Sequence, residues 1–564
     1  MRLNIIRGHK TLSWIKEKFK FIDRNVLILI GIFIFSLPLL QPWVRGDGIN
    51  YYAYIHSLVI DGDLHFDNEF KDALDLNQLR PPILSGIRDY KPTEHLRVPE
   101  AILPLTKTGY LRNRMSVGTS LLWSPFFLLA HFLVIFLNKL GLRIIANGYT
   151  LPYVLSIAFG SCLYGFIGLL LSYKICRRYF SPATSLIATI ALWWASPLPA
   201  YMYGHPLLSH ASSAFAISLL LFVYLKIRDR ESSALWLAFG VIGGLAAIVR
   251  IQDSIFLLIP GSELLHQCYT AIKYRKSAYL LKVIKKNILF LIGFLLGILP
   301  QLIVGKILYG AYTLDFYHQM QNEIAWKWSL PPVLGIFFSS CHGLFSWTPI
   351  LLFAVIGLYF FYKKDRMLTI ISTIIFLLQV CIVSGGYSKI TGIYIWQHSS
   401  FGGRMFLSFI PIFILGLAGL IENLKTKISL KWLIVLVGIF ILWNLGFILQ
   451  FGIGLLPREG YISWKQMAYN QFITLPLLIY KKIGRLGLSV AIFLVSISLS
   501  LLFILKKKRP MFFKYLFDML NGLILRVTFT ALASVFSAVC FVCILTTYAI
   551  RLDRSIVFIS LKVW

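Results

Sequence analysis

The sequence predicts an all-α polytopic membrane protein, and three observations carry that expectation. Composition is the first: 58% of the 564 residues are hydrophobic and only 14% are charged, whereas soluble domains carry about 25% charged residues. The second is a recurrence of apolar runs of about 18 to 22 residues, each long enough for a hydrocarbon core of about 30 Å. The third is the placement of charge. Lys and Arg number 55 against 23 Asp and Glu, a net charge of +32. These basic residues cluster in short loops between apolar runs, as the positive-inside rule requires, which sets aside a nucleic-acid partner.

Taken in order, the chain opens with a basic arm at 1–25 (Arg2, Arg7, Lys10, Lys16, Lys18, Lys20, Arg24), assigned to the cytoplasm. The first span, 26–43, then exits outward, and Trp43-Val44-Arg45 offers no small-residue cleavage site. An external segment at 44–148 follows. Within it 119–137 is apolar enough to cross, but crossing would put Lys174, Arg177 and Arg178 outside. It is therefore read as a juxtamembrane or re-entrant element, interrupted by Pro125 and carrying His131. That choice places the basic clusters at 174–178, 226–230, 273–286, 363–366, 425–431 and 506–509 all inside. The remaining spans are expected at 150–173, 183–202, 211–226, 234–250, 253–266, 287–305, 349–362, 367–384, 404–421, 432–451, 487–505 and 523–547, about thirteen helices in all. Two modules result. An N-terminal one covers 26–266, and a C-terminal one covers 267–564 with external loops 306–348, 385–403 and 452–486. Seven cysteines show no disulfide framework; Cys540 and Cys543 lie one helical turn apart inside an apolar run, where packing explains them.

Polar chemistry gathers on the outer side. Gly46-Asp47-Gly48 opens the first external segment, followed by an aromatic stretch with Tyr51, Tyr52 and Tyr54. A carboxylate between two glycines at a membrane rim is either a helix cap or a functional acid. Asp61, Asp63, His65, Asp67 and Glu69 alternate with other residues, which in extended chain brings all five to one side. Asp61, Asp63 and Asp67 are thus weak candidates for a divalent cation, against the plainer reading of a solvated acidic loop. Beyond them Lys91, His95, Arg97, Lys107, Arg112 and Arg114, interleaved with Tyr90 and Tyr110, suit a lipid phosphate or bulk anionic headgroups.

The second external turn carries His205 and His210 across Pro206. Arg250-Ile251-Gln252-Asp253 falls between two apolar runs with no room for a loop. Ionisable groups at that depth face a cavity or each other, so Arg250 either pairs with Asp253 or binds a phosphate. Later polar islands hold Trp326, Trp328, His342 and Trp347, then Trp396, His398 and Arg404, each at a helix entrance.

These features resemble the glycosyltransferase C superfamily of membrane enzymes, which includes protein O-mannosyltransferases and aminoarabinose transferases. The likeness covers most of the chain and is architectural: a first helix, a long external loop opening with an acid, then a many-helix bundle. Asp61-Gly62-Asp63-Leu64, Ser346-Trp347-Thr348-Pro349 and Ser400-Phe401-Gly402-Gly403-Arg404 are similar to segments of bacterial members. Many relatives carry an acid in the second external turn, where this chain has only His205 and His210. The resemblance implies sugar transfer from a polyprenyl-phosphate donor to a lipid, glycan or protein acceptor at the outer face of a bacterial inner membrane. Asp47 would be the general base, with inversion at the anomeric carbon. Arg250, Arg404 and Lys107 would stabilise the departing phosphate. Tyr51, His205, His210, His342 and Trp347 would contact substrate. No nucleotide motif is needed, and no cofactor beyond an optional divalent cation. The rival reading is a transporter or flippase for a lipid-linked glycan, with Arg250 and Asp253 as its coupling pair.

Overall fold

The computed structural model describes residues 23–70, 105–228, 230, 232–314, 324–327, 330–389, 392–398 and 400–479. Residues 1–22, the expected spans 487–505 and 523–547, the basic cluster 506–509, Lys91, His95, Arg97, Cys540 and Cys543 lie outside the described residues.

Helix α1 (Arg24–Ser36) starts on Asp23, whose carboxylate accepts the Asn25 N–H at 3.0 Å and the Tyr173 hydroxyl at 2.6 Å. Pro38 ends it through a 3-10 turn at Leu37–Leu39, short of the expected residue 43. Helix α2 (Asp47–His56) follows and continues into a wider turn at Ser57–Asp61. Helix α3 (Gly118–Lys139) corrects one expectation: Pro125 lies inside it and does not interrupt it. The ring removes the donor that the Leu121 carbonyl would normally receive, and the Ser124 hydroxyl supplies one instead at 2.7 Å. By length and composition α3 is a candidate membrane span. It runs antiparallel along the first half of α4 (Leu151–Cys176), Tyr153 meeting Phe127 and the Tyr164 hydroxyl bonding the Leu122 carbonyl.

Helix α5 (Pro182–Trp194) is capped by Ser181 and stops well before the expected residue 202, because Ser196-Pro197-Leu198-Pro199 cannot continue it. Next come α6 (Ser209–Ile227) and α7 (Ser233–Val249). The expected span 253–266 is not among the described helices that are long or apolar enough to cross a membrane. A 3-10 turn at Ile251–Leu257 leads into α8 (Leu258–Lys273), whose Glu263, His266 and Gln267 keep it out of the apolar class.

Helix α9 (Ser277–Tyr309) begins ten residues before the expected 287 and locks onto α7 through glycines. Gly240 and Gly244 face Gly293 and Gly297, and a Cβ on any of the four would run into the opposite backbone. Small residues four apart let two helices approach this closely where no water drives them together. The contact fixes α7, whose last turn delivers Arg250.

Beyond it lie β1 (Ile324–Trp326), α10 (Leu330–Phe338), α11 (Leu344–Trp347), α12 (Ile350–Phe361), α13 (Arg366–Gly385), β2 (Gly386–Ser388), α14 (Ile410–Leu424), α15 (Leu430–Ile453) and α16 (Trp464–Tyr469). The two strands pair antiparallel, Ala325 opposite Tyr387. Among the described residues, seven helices are long and apolar enough to cross a membrane, and four more are shorter and apolar. The architecture is all-α and polytopic, with one small ribbon between loops.

Candidate active site

Asp47 is the first residue of α2. Its cap position belongs to Gly46, which has φ +50°, so the carboxylate is not engaged in capping. Instead it meets the Arg114 guanidinium at 3.3 Å, with both side chains partly open to solvent. Arg114 is held by a wired segment. Asn113 is fully buried and donates to the Asn50 carbonyl at 2.8 Å, while its own carbonyl accepts the Tyr309 hydroxyl at 2.7 Å. The Tyr54 hydroxyl reaches the Met115 carbonyl at 2.9 Å, and Gln301 accepts the Val117 N–H at 2.9 Å. The other wall against α2 is the second turn. Gly48 packs so tightly on the Leu207 carbonyl that no side chain fits between them.

One turn along α2, Tyr51 points the same way. Its hydroxyl donates to Ser209 Oγ at 3.1 Å and its backbone carbonyl takes the Ser120 hydroxyl at 2.6 Å. Burial raises the phenol above its ordinary value; Arg250 opposes this, Asp47 reinforces it and Arg404 opposes it. Asp47, Arg250 and Arg404 therefore all act on one hydroxyl.

Arg250 leaves the end of α7 in an extended conformation. Its guanidinium contacts His210 Nδ1 at 2.5 Å, Ser209 Oγ at 3.5 Å, Gln252 Oε1 at 3.2 Å and Met405 Sδ at 3.0 Å. All four partners are uncharged acceptors or a neighbouring imidazole. Among the described residues Arg250 makes no ion pair within 4.0 Å, so the expected alternative, a pair with Asp253, is not formed. Asp253 is buried and takes the Ser213 hydroxyl at 2.5 Å.

Arg404 begins a 3-10 turn after Gly402-Gly403 and hydrogen-bonds Tyr201, whose ring lies 4.5 Å from that of His210. It also lines a crevice with Ile336, His342, Trp396 and Met405. His342 has φ +59° and donates from Nε2 to the Arg458 carbonyl at 3.0 Å, leaving Nδ1 buried and unpartnered among the described residues. Its ring packs 5.1 Å from Trp347, which is fully buried with its indole N–H on the Ser340 carbonyl at 3.0 Å. Burial, assisted by Arg404, lowers His342 to about 4. Burial also lowers His205 to about 4, with Arg45, Arg458 and Arg404 adding to the effect. Both imidazoles are neutral at pH 7.

The structure thus links Tyr51, His210, Arg250 and Arg404 through Ser209 and Tyr201, with Asp47 one turn before Tyr51 on Arg114 and with His205 and His342 within reach of the Arg404 charge. Trp347 belongs to the packing beneath His342. Lys107 is exposed on a tight turn whose Thr108 hydroxyl bonds the Leu308 carbonyl. Sequence reasoning passed over Ser209 as a shared ligand of Tyr51 and Arg250, and Met405 and Gln252 as partners of Arg250. Their signal was adjacency to the motifs already singled out.

The acidic alternation does not form one face. Gly62 at φ +78° breaks the extended chain after Asp61. Asp63 turns back to accept the Ser57 hydroxyl at 2.7 Å and the His65 N–H at 3.0 Å, and Asp67 is exposed at the start of a new helical turn. Glu69 is buried and meets His56 Nδ1 at 3.0 Å, a histidine absent from the expected set.

No family model matches the chain, and no curated protein matches it. A search of solved structures finds a likeness to ArnT from Cupriavidus metallidurans bound to undecaprenyl phosphate. The TM-score is 0.41 at 13% identity, covering 84% of this chain and 80% of that chain. At that level of likeness, function has to be read from this chain's own residues.

Proposed function

We propose that the chain is a membrane glycosyltransferase that moves a sugar from a polyprenyl-phosphate donor to an acceptor hydroxyl. The observation that supports this most is that Asp47 stands one turn before Tyr51 on α2, while the Tyr51 hydroxyl and the Arg250 guanidinium share Ser209 Oγ and the charge of Arg404 bears on the same phenol. The acceptor oxygen attacks the anomeric carbon as Asp47 takes its proton, and the bond from that carbon to the phosphate oxygen breaks. Polyprenyl phosphate departs as an anion and the anomeric configuration inverts.

Arg250 suits the leaving group because its hydrogen-bond partners are all uncharged and the buried Asp253 bears on it only at a distance, without an ion pair. A guanidinium surrounded by neutral acceptors is available for a bidentate phosphate contact. Arg404 lies across Tyr201 from His210 and supplies a second cation for charge that develops as the bond breaks. Arg114 holds the Asp47 carboxylate in place, and the unpartnered Nδ1 of neutral His342, beside the crevice lined by Arg404, accepts a sugar hydroxyl. A transporter coupled through Arg250 and Asp253 draws less support, since the two side chains form no ion pair and each hydrogen-bonds other partners, while the Arg250 charge still bears on Asp253.

Asp47→Asn tests the reading. The amide keeps shape and much of the hydrogen bonding but cannot take the proton, so transfer falls by roughly 10²- to 10⁴-fold while donor binding survives. A folded Asp47→Asn protein transferring at the wild-type rate removes Asp47 from the mechanism.

A further inference from the structure

At the far end of α2, His56, Asp61 and Glu69 bring three ligand-type atoms within 4.8 Å of one another. His56 Nδ1 lies 3.0 Å from Glu69 Oε1 and 3.4 Å from Asp61 Oδ2. We propose that this cluster binds a divalent transition-metal cation of the zinc class and thereby fastens the end of α2 to the segment that follows it.

Four observations support the assignment. The spacing is close: ligand atoms about 2.0–2.2 Å from a tetrahedral ion stand about 3.3–3.6 Å apart, the His56–Asp61 pair lies in that range at 3.4 Å, and the His56–Glu69 pair, at 3.0 Å, needs to open by a few tenths of an ångström. The imidazole is oriented for it: Nε2 bonds the Asn147 carbonyl at 2.9 Å, the outer-shell contact that fixes the tautomer and turns Nδ1 toward an ion. Tyr149 stacks on the same ring at 4.1 Å and holds its plane. Most telling is Glu69, whose side chain is 2% exposed and whose Oε2 has no hydrogen-bond partner among the described residues. A buried carboxylate oxygen left unsatisfied is costly unless an ion or water completes it.

Asp61 is the open side of the cluster, 28% exposed and steadied by the Asn68 amide at 3.0 Å. One imidazole with two carboxylates selects a zinc-class ion over calcium, which takes six to eight oxygens at longer distance. Three protein ligands leave one position for water. Nine residues of mostly helical rise separate His56 from Asp47, about 13 Å, so the ion braces the chain and takes no part at Asp47.

The test uses the full chain with an affinity tag free of histidine, in detergent, stripped with chelator. Zn²⁺ is then titrated by calorimetry, and Co²⁺ by its visible d–d absorption. One saturable equivalent is expected, with a tetrahedral Co²⁺ spectrum. Glu69→Gln is isosteric and should weaken binding at least about tenfold, and Asp61→Asn, on the exposed side, should do likewise without unfolding the protein. Absence of saturable binding, or an affinity unchanged in both variants, overturns the proposal and leaves a proton-held ion pair.

Discussion

The two ends of α2 solve opposite electrostatic problems with the same kinds of residue. At its N-terminus a carboxylate, Asp47, meets Arg114, and one turn on Tyr51 feels the charges of Arg250 and Arg404. At its C-terminus a histidine, His56, sits among Asp61 and Glu69. Both placements agree with the helix dipole, which favours an acid at the start and a cation at the end. The histidines show how completely neighbours decide protonation. His205 and His342 are buried near arginines and are lowered to about 4. His56 is buried too, and burial alone would lower it; its bonds to Glu69 and to the Asn147 carbonyl, with the charge of Asp61, outweigh that and raise it. Burial sets no sign by itself.

If the cationic end exists to hold a phosphate, removing its best-placed guanidinium should have the larger consequence. Arg250→Ala is expected to weaken binding of a polyprenyl-phosphate analogue by about 100-fold. Arg250→Lys, which keeps charge but loses the planar fork, should weaken it by roughly tenfold. Zinc binding at the other end should stay unchanged in both. Unaltered analogue affinity in folded Arg250→Ala would remove the functional half of the contrast, because the arginines would then be structural.

Gly48→Ala probes how firmly the N-terminal end is placed. A methyl group there meets the Leu207 carbonyl, so α2 or the second turn must shift. Displacements of this kind cost about 1–3 kcal/mol of stability, and a misplaced base costs up to about 100-fold in rate. Transfer should fall about tenfold with analogue affinity retained, a split that a general loss of fold would not give. Wild-type transfer by the Gly48→Ala protein would mean that the proposed role of Asp47 does not depend on this contact.

Part of this arrangement was legible in the sequence. Asp47, Arg250 and Arg404 stand out because each is a charged or glycine-flanked residue at the edge of an apolar run, where charge is expensive. Their convergence was not legible, since Tyr51, Ser209, Arg250 and Met405 come from four separate stretches joined only by packing. His56 was passed over for a related reason. Its partners lie 5 and 13 residues ahead and at a carbonyl 91 residues away, which is no helix or strand period. The alternating acids suggested a strand, but Gly62 in the left-handed region turned the chain before the pattern could form one face. Pro125 misled in the other direction: a neighbouring serine repaired the helix that the proline alone would break.

The smallest expected effect is on melting temperature against pH, and it separates the two ends by sign. His205 and His342 have folded values near 4, below the ordinary value of about 6.5. Their neutral forms favour the fold, so the stability they contribute is present above about pH 6.5 and is lost as pH falls toward 4. His56 is raised, so its contribution is full below about pH 6.5 and is lost as pH rises through its folded value. Glu69 is also raised, chiefly by burial, and shifts the balance the same way as His56 once pH exceeds about 4.5. Differences between each variant and the wild type isolate these terms, because distant sites add independently. His205→Asn and His342→Asn should each flatten the acid limb by a few degrees and leave the alkaline limb alone. His56→Gln, in chelator so that no metal intervenes, should do the reverse. Parallel curves for all three variants would show that the arginines and the carboxylates do not set these histidines apart, and the contrast between the ends of α2 would then be one of shape only.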